Sequence, residues 1–237
     1  MRTILPLLIA SIVAGSCLAG AASRLPALKA QRWVNSAPLT PEGLRGNVVL
    51  VDVWEYTCIN WIRTLPFIKA WNRDYASLGL VVVGVHSPEF EFGKRAENVD
   101  GGIRNHALTY PIAIDNDFAI WRALSNDAWP AKYLFDRQGR LVKRWVGEGS
   151  YDEIESEIRR LLAAADSGVR LPPVSHEATV FARTGQPSYA GITGETYLGA
   201  DRRERGTVTL EGDWRSERQY VELRKGTGKI VLQPGPC

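Results

Sequence analysis

Two apolar runs on either side of an amphipathic segment constrain the fold of this 237-residue chain more than any other feature. The runs Val48–Trp54 and Leu80–His86 are almost entirely apolar, as in strands buried on both faces of a sheet. The segment between them repeats apolar side chains at helical spacing, namely Trp61, Ile62, Leu65, Ile68 and Tyr75. The order of strand, helix and strand predicts a parallel βαβ unit.

The residues that follow extend this unit into a larger sheet. A helical stretch is expected at 94–106, a short strand at 110–114 and a helical turn from Phe118. Two further strands, Ala131–Phe135 and Leu141–Val146, flank the turn-forming sequence Asp-Arg-Gln-Gly. We therefore predict an α/β fold with a mixed central sheet flanked by helices.

A last helix is indicated by its own start signal. Ser150 followed by Glu153 has the spacing of a capping box, in which each side chain bonds the backbone N–H of the other residue. The buried face of this helix would carry Ile154, Ile158, Leu161 and Leu162. With it, the predicted domain covers about residues 30–165.

The first 21 residues have the pattern of a signal peptide. Arg2 supplies a positive start, residues 4–13 an apolar stretch too short to cross a bilayer, and residues 19–21 a small-residue cleavage site. Export to the periplasm or the extracellular space is therefore expected. Cys17 stands in a segment that is similar to a bacterial lipoprotein box, so a lipid anchor at Cys17 is the alternative to plain secretion.

Beyond residue 165 the composition shifts to Pro, Gly, Ser and Thr, which predicts a linker over 166–206. Three short strands are expected after it, at 207–210, 220–223 and 230–232. A turn at 225–228 would join the last two. Because so few strands bury little apolar area, they would be only marginally stable alone. Since they resemble the beginning of a β-sandwich, residues 207–237 are predicted to form a short, incomplete β-sandwich-like segment. The alternative is that these strands pack back on the main domain.

Charge and histidine content exclude other classes of site. The 29 basic and 26 acidic side chains give a net charge of +3 and are spread along the chain, so nucleic acid is not expected as a partner. Only 3 histidines are present, and none is spaced with Cys58 as in a zinc or copper site. We therefore expect no metal and no other cofactor.

Cys58 is the candidate nucleophile. It follows the first predicted strand and lies at the first turn of the predicted helix, where unbonded backbone N–H groups and the helix dipole stabilise an anion. A thiol at such a place ionises more readily and attacks more readily. The alternative is a buried, inert cysteine.

Four short segments resemble one known family. They are residues 51–60, 63–66, 84–90 and 129–131. These segments are similar to the thioredoxin-like domain of the DipZ and TlpA group of exported redox proteins, and the resemblance covers about residues 33–165. It implies a thioredoxin-like fold and thiol-disulfide oxidoreductase activity.

The resemblance also implies roles for individual residues. Cys58 is similar to the attacking cysteine of a Cys-x-x-Cys motif, and Asp52 to the buried acid that moves protons near the cysteine pair. Pro130 resembles the cis-proline opposite the attacking cysteine, and Pro66 the proline that bends the helix. The family's second cysteine falls at position 61, where this chain has Trp61.

The missing second thiol leaves three alternatives, because that thiol normally resolves the mixed disulfide formed by the first. Cys58 works as a monothiol that glutathione-like or partner thiols resolve, or it reduces peroxides through a sulfenic acid. The third alternative is a redox-inactive module that binds exposed cysteines or peptides. The expected partners are exported proteins or small thiols, with a membrane electron donor as a further candidate.

Neighbouring polar and aromatic residues complete the predicted site. Thr57 and Glu89 would face the thiol, and His86 would assist as a base unless it is only hydrogen-bonded in place. Trp129 and Trp61 are expected to contact substrate, with core packing as the alternative for such aromatic side chains.

Overall fold

A six-stranded mixed sheet organises the residues that the computed structural model describes, which are 23–164, 168–174, 196–203 and 208–233. Its strands are β1 (Arg32–Val34), β2 (Val48–Trp54), β3 (Leu80–His86), β4 (Ile112–Ile114), β5 (Ala131–Phe135) and β6 (Leu141–Val146). Their order across the sheet is β1-β4-β3-β2-β5-β6. Strands β2, β3 and β4 run parallel, whereas β1, β5 and β6 pair antiparallel with their neighbours.

Four α-helices accompany the sheet: α1 (Ile59–Tyr75), α2 (Ala96–Asn105), α3 (Ala119–Ala123) and α4 (Tyr151–Ala163). The predicted βαβ unit is confirmed as β2, α1 and β3. Every residue of β2 is buried, which is the physical basis of its continuous apolar run. The prediction of a mixed sheet flanked by helices is therefore confirmed.

The two faces of β2 belong to two separate core layers. Val48, Leu50 and Trp54 pack in a cluster with apolar side chains of α1, α2 and α4. The alternate residues of the strand pack on the other face, together with residues of α3 and of the N-terminal segment. Side chains alternate between the two faces of a strand, so Asp52 shares a face with Leu50 and Trp54. Its side chain is therefore directed to the layer that contains α1.

The packed part of the chain begins before residue 30. Leu25 and Leu28 are both buried in the second core layer. The Leu25 N–H also donates a 2.8 Å hydrogen bond to the carbonyl oxygen of Gly139, in the turn between β5 and β6. These contacts join the N-terminal segment to the sheet.

Helix α4 starts where the sequence predicts, but the capping box is wrong. Ser150 is the N-cap residue, yet its side chain makes no capping hydrogen bond, and its φ of 53° lies in the left-handed region. The Glu153 carboxylate instead accepts a 3.0 Å hydrogen bond from the indole of Trp145 and pairs with Lys143. Partners on the neighbouring strand β6 have replaced the local backbone partner.

The C-terminal residues form a hairpin of two strands, where the sequence predicts three. Strands β7 (Val208–Ser216) and β8 (Val221–Leu232) pair antiparallel. Residues 225–228, expected to be a turn, lie inside β8. A Cβ at Gly228 would be only 2.6 Å from the Trp214 ring, so glycine there lets the opposing strand approach closely. The Gly-rich sequence therefore marks a close contact and an irregular register.

Some expectations fall on residues outside the described part of the chain. They are the signal peptide, the lipid anchor at Cys17 and most of the linker over 166–206. Among the described residues, no helix has both the length and the apolar character that a membrane crossing requires.

Candidate functional site

Cys58 is the N-cap residue of α1, directly after the loop that follows β2. Its backbone is extended, with φ −68° and ψ 108°, and its N–H donates a 3.2 Å hydrogen bond to the Glu55 carbonyl oxygen. The thiol is half-buried. The described first turn of α1 contains no acidic residue that would oppose a thiolate.

A buried carboxyl group holds the loop in front of Cys58. Glu55 Oε2 accepts a 2.7 Å hydrogen bond from the Thr57 N–H and another from the Thr57 hydroxyl. Burial raises the pKa of Glu55, and these hydrogen bonds act against that rise. The bonds fix the backbone that enters the helix, and hence the position of the thiol.

Trp61 occupies the position where the resemblance places a second cysteine, and it is part of the core. Its side chain is 0% exposed, and its ring stacks on Trp54 with 4.3 Å between centroids. Its indole N–H donates a 2.9 Å hydrogen bond to Asp52 Oδ2. The expectation that Trp61 contacts substrate is therefore wrong for this structure, because neighbouring core residues enclose the ring.

Asp52 and Lys132 form a buried pair of charged residues beneath the start of α1. They are Cα partners in the register of β2 and β5, and neither side chain is exposed. Burial raises the pKa of Asp52 to about 6, although Lys132 and the Trp61 hydrogen bond both act to lower it. Among the described residues, Asp52 Oδ1 has no hydrogen-bond partner.

The buried Lys132 side chain also interacts with Cys58. Burial lowers the pKa of Lys132, and the negative charges of Asp52, Cys58 and Glu148 act to raise it. Lys132 Nζ donates a 3.3 Å hydrogen bond to the Gly147 carbonyl oxygen, a neutral and distant acceptor. A cation in this position favours the ionised form of the nearby thiol.

His86 lies within the core and is poorly suited to the predicted role of a base. It is not exposed, and burial lowers the pKa of its imidazole to about 3. Its Nε2 is 3.9 Å from Glu55 Oε1, and because the lowered pKa leaves the imidazole neutral, the two groups do not form an ion pair. In the described part of the chain, no three His, Cys, Asp or Glu side chains gather as metal ligands would.

Trp129 and Pro130 stand just before β5. The peptide bond between them is cis, as the resemblance implies for Pro130. The Trp129 indole donates a 2.8 Å hydrogen bond to the Ser87 carbonyl oxygen and packs on Trp121 at 4.3 Å between ring centroids. Trp129 is half-buried and does not line the cleft at Cys58.

A cleft of about 420 Å³ opens at Cys58. Its first wall comes from the α/β domain, at residues 57–59 and 89–90, and its second from the C-terminal part of the chain, at residues 196–198 and 219–221. The structure thus brings Thr57, Cys58 and Glu89 together, as the sequence predicts. The Glu89 carboxylate forms an ion pair with Arg202, which lies in the C-terminal part of the chain outside the lining.

Three parts of this site are absent from the sequence prediction. Two of them, Glu55 and Lys132, each lie within an otherwise apolar or aromatic segment. Lys132 carried a usable signal, since alternation along β5 places it on the same face as Leu134, where a lysine needs a charged partner. The second wall gave no local signal, because it meets the first across more than 100 residues of sequence, as in the 128-residue separation of Glu91 and Gln219.

Comparisons with known proteins found similarity in sequence and in fold. No protein-family model matches the chain. Protein DipZ of Mycobacterium tuberculosis is 40% identical over 173 residues, which are 72% of this chain and 24% of DipZ. The thiol-disulfide oxidoreductase YkuV of Bacillus subtilis is 26% identical over 143 residues, covering 60% of this chain and 96% of YkuV.

A solved structure agrees with these sequence matches. The crystal structure of a thiol-disulfide isomerase from Corynebacterium glutamicum has a TM-score of 0.53 to this chain at 26% identity. The match covers 60% of this chain and 97% of the isomerase chain. The sheet order, the cysteine at the start of α1 and these matches agree with one another. The chain has a thioredoxin-like fold, and thiol-disulfide oxidoreductases are among the proteins that it resembles.

Proposed function

We propose that this protein is an exported thiol-disulfide oxidoreductase that uses the single thiol of Cys58 to form mixed disulfides with protein or small-thiol substrates. The observation that carries the proposal is the contrast between the two motif positions. Cys58 is half-buried at an open cleft, whereas position 61 is filled by a buried tryptophan. The first half of a dithiol site is in place, and the second half is not.

The reaction needs one thiolate and one outside thiol. The Cys58 thiolate attacks one sulfur of a substrate disulfide, forms the Cys58–substrate disulfide and releases the other substrate sulfur as a thiolate. A second thiol from solution or from a partner then attacks the mixed disulfide and returns Cys58 to its reduced form. The helix N-terminus and the Lys132 ammonium both favour the thiolate that starts the cycle.

The exported location rests on the pattern of residues 1–21, and the domain division on composition. Cell fractionation and N-terminal sequencing of the mature protein test the first. A mature chain that still begins at Met1 in the cytosol would overturn the proposed location.

Mass spectrometry of the full chain tests the proposed chemistry. The purified protein is incubated with excess glutathione disulfide, and we expect one glutathione adduct at Cys58 that reduced glutathione then removes. The last residue of the sequence, Cys237, is a further cysteine. Cys58→Ser should lose the adduct at residue 58, whereas Cys237→Ser should keep it. No adduct at Cys58 under conditions that label a denatured control would favour the redox-inactive binding module.

Peroxide reduction is the alternative enzyme activity. An experiment on the same purified protein distinguishes it from disulfide exchange. The hypothesis assigned His86 as the base, but its burial and its lowered pKa argue against that role. Sulfenic acid at Cys58 can be trapped with dimedone during peroxide treatment. Rapid trapping at low peroxide, together with no disulfide exchange, would favour the peroxidase.

A further inference from the structure

We propose that the C-terminal segment, defined as residues 196–203 and 208–233, is the specificity element of the Cys58 site. In this proposal it selects small, uncharged, apolar disulfides as substrates. The inference rests on the proposed thiol chemistry and adds a substrate class to it. It follows from the second wall of the cleft, which belongs entirely to this segment.

The segment is joined to the α/β domain by specific contacts. The Glu91 N–H donates a 2.6 Å hydrogen bond to Gln219 Oε1. Tyr220 meets the edge of Phe92 at 6.2 Å between ring centroids, and Tyr197 meets Phe90 at 6.3 Å. These contacts place the second wall opposite the thiol.

The cleft leaves apolar side chains uncovered on both walls. Ile59, next to Cys58, is 50% exposed, and Tyr220, on the facing wall, is 43% exposed. Both line the same cleft. Exposed apolar side chains that converge on one concave site favour an apolar occupant over water.

The charge of the lining further restricts that occupant. Glu89 is the acidic residue of the lining, and its carboxylate is paired with Arg202. The Arg202 guanidinium lies 5.0 Å from the Phe90 ring centroid and 4.9 Å from the Tyr197 ring centroid, so the aromatic faces also engage its charge. The walls therefore present little net charge, which fits an uncharged ligand.

The size of the cleft favours a small molecule over a folded protein. About 420 Å³ lies within the ordinary range of small-ligand sites. In the proposed step, the Cys58 thiolate attacks an R–S–S–R molecule whose apolar R group lies between Ile59 and Tyr220. The products are the Cys58–S–S–R mixed disulfide and one R–S⁻ thiolate, so atoms and charge balance.

The rates of mixed-disulfide formation with two probes test the proposal. Dipyridyl disulfide is aromatic and uncharged, and cystamine carries two positive charges. Each rate constant is divided by that of mercaptoethanol with the same probe, which removes the intrinsic reactivity of the reagent. The full chain, carrying Cys237→Ser, should prefer dipyridyl disulfide by about tenfold or more, which is the scale of one or two apolar contacts.

Variants on both walls then identify the cause of the preference. Tyr220→Ala and Ile59→Ala should each slow the reaction with dipyridyl disulfide and lower the ratio of its rate to the cystamine rate by about 2–10-fold. Leu232→Ala, an exposed position of β8 outside the lining, is the matched control and should change neither rate. Glu89→Gln should accelerate the reaction with the anionic probe dithiodiglycolate, because Arg202 is then uncompensated.

The outcomes separate this inference from the proposed function. Both probes could label Cys58 at similar corrected rates, with no effect of Tyr220→Ala or Ile59→Ala. That result would overturn the proposed role of the C-terminal segment in specificity and leave the thiol chemistry in place. If neither probe labels Cys58 in the folded protein, the proposed function itself fails. If Tyr220→Ala and Ile59→Ala slow the reactions of Cys58 with both probes equally, the inference is also overturned.

Discussion

Positions 58 and 61 lie one turn apart at the start of the same helix, yet their surroundings are opposite. Cys58 is half-buried and lines a cleft, whereas Trp61 is fully buried, stacks on Trp54 and bonds Asp52. The second motif position is therefore part of the core. Its side chain holds the buried acid through a hydrogen bond, so position 61 has a structural role of its own.

The largest effect is expected from Trp61→Cys, which would make position 61 resemble position 58. Removing a fully buried indole leaves a cavity and takes the hydrogen-bond donor from Asp52, so we expect a loss of about 3–5 kcal/mol in the free energy of unfolding. Urea denaturation measures this loss. If the variant remains folded, it should form a 58–61 disulfide on oxidation and gain dithiol-driven insulin reduction.

Trp61→Phe is the matched control for this change. It keeps an aromatic ring against Trp54 but lacks the N–H that bonds Asp52, so it should lose less stability than Trp61→Cys and gain no dithiol activity. A folded Trp61→Cys variant that forms the disulfide and reduces nothing would show that the site lacks more than one thiol. Turnover of the parent with glutathione would instead support the monothiol cycle.

Asp52→Asn should stabilise the protein at neutral pH. The folded pKa of Asp52 is about 6, against 3.8 for an unperturbed Asp, so the folded chain retains a proton that the unfolded chain releases between these values. The free energy of unfolding of the parent therefore falls as the pH rises from about 4 to about 6. Asn cannot ionise and avoids this loss, and its Oδ1 can still accept the Trp61 hydrogen bond.

The expected gain for Asp52→Asn at about pH 7 is up to about 3 kcal/mol, decreasing towards zero near pH 4. Urea denaturation at both pH values, with Asp213→Asn at an exposed aspartate as control, measures this dependence. A stability difference that does not change between the two pH values would contradict the assignment of a raised pKa to Asp52.

Lys132→Met should lower the reactivity of Cys58, which is the cleft-lining residue of the pair 58 and 61. The variant has a similar shape but lacks the buried positive charge that interacts with Asp52 and Cys58. We expect Cys58 alkylation by iodoacetamide at neutral pH to slow several-fold and its pH midpoint to rise. Lys143→Met, at an exposed lysine, should leave the midpoint in place; an unchanged midpoint in Lys132→Met would exclude an electrostatic role.

The smallest effect is expected when the C-terminal segment is removed. Its strands expose most of their side chains, and the segment meets the domain through few contacts. Truncation after residue 174 should therefore change the free energy of unfolding of the α/β domain by about 1 kcal/mol or less. Limited proteolysis should likewise trim this segment and leave a stable core, and survival of the segment after the linker is cut would show tighter docking.

The parts of the fold that depend on local pattern can be predicted from the sequence. Strands β2 and β3 have the bounds that the sequence predicts because continuously buried strands need continuous apolar runs. The bounds of β5 and β6 also agree with the prediction, because a turn-forming sequence separates the two strands. The start of α1 at Cys58 was equally local, since it lies where the strand period gives way to the helix period. The nucleophile and its place at a helix N-terminus could therefore be assigned from sequence.

The surroundings of that nucleophile depend on tertiary contacts, which the local sequence pattern does not contain. The burial of Trp61, the pairing of Lys132 with Asp52 and the second wall of the cleft all depend on residues brought together across strands or across most of the chain. Local propensity cannot encode such contacts, because the same residue types are equally compatible with an exposed surface. The same reason explains the error at residues 225–228, where Gly228 serves a close approach to Trp214 and not a turn.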